Sequence, residues 1–97
     1  MTKRYLDPID GRKSFYKKAT AVEDDGVTYL KSYNTIVGFI NNGTFHRTWG
    51  GYSCTTMRHV NAFLNTYNVF GDGNKKWWEG LPVETIPWDK EMRLLAI

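Results

Sequence analysis

The sequence predicts an α+β domain: an antiparallel β-meander of four to five strands with one main amphipathic helix packed on one face. Three observations predict it. The pairs Asp25-Gly26 and Asn42-Gly43 punctuate the first half, and such pairs supply the positive φ angles of two-residue hairpin turns. The runs around them are rich in Val, Ile, Thr, Tyr and Phe and alternate between apolar and polar. A single stretch, Cys54 to Tyr67, carries the 3.6-residue apolar period of a helix.

Residues 1–13 are polar and basic, are broken by Pro8 and Asp10-Gly11, and read as a basic N-terminal arm. Residues 14–88 form the single domain. Its first strand is expected over residues 14–23, followed by the Asp24-Asp25-Gly26 turn. Residues 27–33 alternate as a second strand, and Asn34-Thr35 reads as a turn. Residues 36–41 form a short apolar strand, Asn42-Gly43 turns the chain, and residues 44–49 alternate Phe45, Arg47 and Trp49 against Thr44, His46 and Thr48. The helix follows with Ser53 as N-cap. Met57, Val60, Phe63, Leu64 and Tyr67 fall on one arc of about 120°, which would pack on the sheet. Arg58, Asn61, Asn65 and Cys54 lie on the other side, and Asn68 ends the helix. Beyond a loop at residues 71–76, residues 77–82 read as one helical turn or an irregular segment, and Val83 to Ile86 as a short strand. Residues 89–97 are a C-terminal tail or short helix capped by Asp89.

At 97 residues the chain makes one domain with one core. Aromatic residues make up 15% of it, which suits a small core and also suits interfaces. The net charge of +3 is unevenly spread, with basic stretches over 1–18 and 44–78 and acidic ones over 19–43 and 79–97. This is weaker than the balance of a dedicated DNA-binding domain. The one cysteine, Cys54, excludes an intrachain disulfide. Met1 to Pro8 lacks the apolar run of a signal peptide, and Ile36 to Ile40 is too short to span a bilayer. The expectation is a soluble, cytoplasmic protein.

Catalytic signatures are scarce. Cys54 with His46 or His59 could pair as nucleophile and base, but Cys54 and His59 are five apart on a helix and diverge. The three lack zinc-ligand spacing. Glu23, Asp24 and Asp25 resemble a cation cluster, yet acids at a hairpin corner serve backbone conformation. No phosphate-loop fingerprint is present. The expectation is a non-enzyme with no metal and no cofactor.

Cations beside aromatic rings are plentiful. Lys75-Lys76-Trp77-Trp78 places two ammonium groups next to two indoles, a combination that can stack on bases and meet phosphates. At least one of the indoles is expected in the core between helix and sheet, which is compatible with a binding role for the segment. Arg47 and Arg58 flank the Gly50–Ser53 turn at the helix start, where backbone N–H groups and an arginine fork suit an anion, or the glycines are structural and Arg58 pairs with an internal carboxylate. Lys3, Arg4, Arg12, Lys13, Lys17 and Lys18 could grip phosphate or serve solubility and edge protection, and Lys17 and Lys18 on one strand would point to opposite faces.

Tyr52 to Asn61, Lys75 to Glu84 and Asp10 to Tyr16 together resemble a family of small uncharacterised proteins from phages, plasmids and mobile elements of Gram-positive bacteria. The resemblance covers residues 10–86 and transfers no functional residue. It implies a mobile-element accessory protein, a class that includes anti-CRISPR inhibitors of host defence. The combined expectation is a binding protein acting on nucleic acid or a host nucleoprotein such as a CRISPR effector. Contacts would come from Arg47, Arg58, Lys75, Lys76, Trp77, Trp78, Arg12 and Lys13. The alternatives are a small Cys/His-dependent enzyme and a structural homo-oligomer.

Overall fold

Turn chemistry sets the sheet. In the computed structural model, which describes residues 1–9 and 15–97, five strands lie side by side in chain order. They are β1 (Thr2–Tyr5), β2 (Ala19–Asp24), β3 (Val27–Ser32), β4 (Thr35–Asn41) and β5 (Thr44–Arg47). Each is antiparallel to the next. Asp25 and Gly26 both have positive φ, at 51° and 80°, as do Asn42 and Gly43, at 51° and 74°. Both are the two-residue hairpins expected from their chemistry. The middle corner turns at Tyr33-Asn34, one residue before the expected pair, with Tyr33 at φ 55° and Ser32 opposite Thr35.

The N-terminal segment departs from expectation. Thr2–Tyr5 is an edge strand paired with β2 from Thr2↔Glu23 to Tyr5↔Thr20. Leu6 is buried, and its N–H donates to the Ala19 carbonyl at 2.9 Å. An exposed edge strand needs no apolar alternation, so its polar sequence resembled an arm. β2 starts at Ala19 instead of residue 14, because Phe15 to Lys18 form a tight turn closed by Lys18 N–H to Phe15 O at 3.0 Å.

Between β3 and β4 the register shifts: Leu30 faces Gly38 and Lys31 faces Ile36, so Val37 is the extra residue of a bulge. Gly38 is obligatory for space. A Cβ there would meet the Phe45 ring and lie 2.7 Å from the His46 carbonyl oxygen. Gly38→Ala is expected to destabilise the fold by about 1–3 kcal/mol through this overpacking. A lowered urea midpoint at constant m-value is the measurement that checks it.

Helix α1 (Cys54–Thr66) starts as its sequence dictates: the Ser53 hydroxyl accepts the Thr56 N–H at 3.0 Å. It ends with Asn68 at φ 56°, the Val69 N–H reaching Leu64 O at 2.9 Å and the Asn68 N–H reaching Asn65 O at 3.3 Å. Met57, Val60, Phe63 and Leu64 are buried on the sheet with Leu30, Val37, Ile40 and Phe45, and Tyr67 packs at their margin. Helix α2 (Lys75–Gly80) adds Trp78 to the same core.

Helix α3 (Trp88–Leu95) covers the reverse face of the sheet. There Leu94 joins Val22, Tyr29 and Ile36 in a second, smaller core. It begins at Trp88 after Pro87, with no side-chain cap, so Asp89 lies in the first turn instead of capping it. The expected strand at residues 83–86 is reduced to one parallel bridge, Val83 to Arg47.

Candidate functional site

Two of the expected contact residues face inward. Arg47 ends β5 opposite Gly38. Only 6% exposed, it donates to the carbonyl oxygens of Trp49 at 2.8 Å, Trp78 at 3.1 Å, Leu81 at 3.4 Å and Gly51 at 3.4 Å. Its guanidinium carbon lies 4.6 Å from the Trp78 ring centroid. Trp78 is fully buried and donates its indole N–H to Gly51 O at 2.8 Å. The pair locks α2 to the turn before α1, so Arg47 and Trp78 leave the contact set. The alternation that put Arg47 on the same face as Phe45 had already signalled this.

The remaining expected residues are dispersed. Trp77 is half-buried against Phe45, with ring centroids 5.6 Å apart. Lys75 and Lys76 are exposed, and the Lys75 ammonium sits 5.3 Å from the Tyr52 ring. Arg58 lies over Phe15 at 5.2 Å, so Arg47 and Arg58 form no joint anion site beside Gly50–Ser53. Arg12 and Lys13 lie outside the described residues.

The titratable groups are engaged structurally. His59 is buried, with Nδ1 2.7 Å from the Ser32 hydroxyl, which is itself 3.4 Å from the Thr56 hydroxyl. Burial, aided by the charges of Arg58 and Lys18, pushes the His59 imidazole down to about 4. Ser32 and His59 have the spacing of a nucleophile and base, but both are sealed in the core and line none of the described grooves. His46 bonds Glu84 at 2.6 Å and stacks on Phe39 with ring centroids 4.7 Å apart. Among the described residues no hydrogen bond joins exposed Cys54 to either histidine, so the Cys/His alternative gains no geometry. Asp24, weighed as a cation ligand, pairs with Lys90 at 2.5 Å, and Asp25 stands 3.9 Å from the same ammonium.

A different surface is assembled at the start of β2. Tyr16 and Lys17 both have positive φ, 52° and 64°, without the Gly, Asn or Asp that such a turn favours. Strain of this kind needs surrounding structure to hold it and clusters at functional positions. The turn sends Lys17 over the Tyr5 ring at 5.6 Å and Lys18 over the Tyr33 ring at 5.3 Å. Lys3, two residues before Tyr5 on β1, adds a second ammonium 5.3 Å from the Tyr5 ring. Its hydrogen bond and charge, with the charges of Lys17 and Lys31, hold the Tyr5 hydroxyl below its ordinary range. Tyr5, Tyr16 and Tyr33 are 44%, 59% and 49% exposed. Among the described residues Lys3, Lys17 and Lys18 have no carboxylate partner. The expected opposition of Lys17 and Lys18 across a strand fails because they stand on a turn. The signal for the site was Tyr16-Lys17-Lys18 itself, with Lys3 and Tyr5 alternating upstream.

Fold and surface together define a small α+β domain, a meander sheet with helices on both faces and a lysine- and tyrosine-bearing end. The chain belongs to a family of unknown function (DUF8033), whose model matches residues 4–80, from β1 through α2. No curated protein and no solved structure matches it. Among the described residues no helix is long and apolar enough to cross a membrane.

Proposed function

We propose that the protein is a non-catalytic binding domain for nucleic acid, working in the cytoplasm. Its contact surface is Lys3, Tyr5, Lys17, Lys18 and Tyr33. The observation that carries this reading is the gathering of three ammonium groups, without a carboxylate partner among the described residues, over two exposed tyrosine rings, around a turn held in an unfavourable backbone conformation. Rings that offer a face and cations that offer charge are the two elements of sequence-tolerant nucleic-acid binding. Mobile-element origin supplies the setting for this reading, with a host nucleoprotein as the larger target.

The test is anisotropy with labelled single-stranded and duplex oligonucleotides over a salt series. Binding should weaken steeply with salt. The triple variant Lys3→Gln, Lys17→Gln, Lys18→Gln should bind more weakly and flatten the log–log salt slope by about 2, at roughly 0.7 per phosphate contact on a single strand. Absence of binding to every oligonucleotide at low salt overturns the reading, and a partner recovered only as a protein moves the contact surface to a protein interface.

A further inference from the structure

Between the C-terminal half of α1 and the segment after it lies an open groove of about 440 Å³, lined by Ile9, Leu64, Asn65, Asn68, Val69 and Phe70 among others. Phe70 at its rim is 89% exposed, more than any other large apolar side chain described. A phenylalanine so exposed contributes little to the core and leaves its ring face open to a ligand. Asn65 and Asn68 are also exposed, and among the described residues their side-chain amides make no hydrogen bond. Asn61, by contrast, is spent on structure, donating to Met57 O and Gly73 O at 2.9 Å each. The groove thus sets a free aromatic face beside two free amides, each with both donors and an acceptor.

The groove is continuous with the lysine–tyrosine surface. A second groove, lined by Pro8, Phe15 and Arg58, shares Ile9 and Asn61 with the first. Phe15 belongs to the turn that carries Lys17 and Lys18, its carbonyl accepting the Lys18 N–H at 3.0 Å. Arg58, over Phe15, places a cation along that route. The two adjoining grooves thus lie between the Lys17-Lys18 turn and Phe70.

We propose that this groove is a subsite for one unpaired nucleobase, which stacks on Phe70 and hydrogen-bonds to Asn65 and Asn68, making the ligand single-stranded. Duplex bases are stacked and paired and cannot offer a face to Phe70, whereas a single strand can splay one out. The subsite rests on the nucleic-acid reading above, since the lysines supply the charge that brings the strand to it.

Anisotropy with homopolymeric single strands of about ten nucleotides, the site size of such surfaces, tests the proposal on the full chain. Phe70→Ala should weaken binding about tenfold while leaving the salt slope unchanged, because stacking is lost and no phosphate contact is. The double variant Asn65→Ala, Asn68→Gly should alter the ranking of the homopolymers; Gly at position 68 keeps the positive φ that ends α1. Wild-type binding that Phe70→Ala leaves untouched, or equal binding of duplex and single strand, overturns the subsite and spares the lysine–tyrosine surface. No binding by the wild-type chain at low salt overturns both.

Discussion

Trp78→Ala is expected to cost about 3–5 kcal/mol, the largest loss from any single substitution considered. The indole is wholly enclosed among the residues of the main core, so its removal leaves a cavity that neighbours refill only in part. A second cost follows. The Arg47 guanidinium rests against that ring and takes its acceptors from the turn that the indole N–H also holds. Without the ring, a buried cation loses its aromatic face, and the Gly51 carbonyl loses its shorter hydrogen bond. Domains of this size have total stabilities of about 5–15 kcal/mol, so the variant should keep a much smaller margin against unfolding. Guanidinium titration measures this, and a loss below 1 kcal/mol would contradict the packing described. Trp77, which keeps part of its ring in water, should tolerate the same change better.

Stability should fall by roughly 3 kcal/mol as pH drops from about 6.5 to about 4, because of His59. Its imidazole is neutral in the folded protein down to about 4, whereas in the unfolded chain it takes its proton near 6.5. Between those values the unfolded state binds the extra proton, so acid favours unfolding; above about 6.5 the contribution is fully present. The Asp24 carboxyl, held low chiefly by its hydrogen bond from Lys90, acts in the same direction but below its ordinary 3.8, beyond the histidine's window. Unfolding free energies from urea at a series of pH values between 4 and 7 would show the slope. A flat profile would mean that His59 is hydrated in the folded state.

Much of the scaffold was legible because it is written in local chemistry. Asp25-Gly26 and Asn42-Gly43 demand positive φ wherever they occur, and Ser53 caps the helix by reaching its own chain three residues on. The apolar arc of α1 needed only periodicity. Strand β1 was illegible because both of its faces meet solvent, leaving no alternation to read. The Tyr16-Lys17 turn was illegible because neither residue favours the conformation that its surroundings impose. That one turn decides where Lys17 and Lys18 point, so the basic surface was drawn from the right stretch of chain with the wrong geometry. Arg47 and Trp78 were misplaced for a related reason: an arginine and an indole can satisfy each other inside a core, and local sequence does not say that they meet. Phe70 and its asparagines lie beyond the apolar arc of α1, where pattern alone marks them as ordinary solvent-facing positions.

The two sides of the sheet are fastened very unequally. α1 is anchored through seven buried positions, whereas α3 contributes a single one, Leu94, helped by Lys90 on Asp24 and by the Lys31 ammonium on the Leu95 carbonyl at 3.4 Å. Local opening costs least where the fewest buried contacts break. The C-terminal helix therefore peels away more readily than α1, and what it bares is a stripe of Val22, Tyr29 and Ile36. Such a stripe is adhesive in water, so the small hidden face, more than the large one, governs how readily these molecules stick to one another at high concentration.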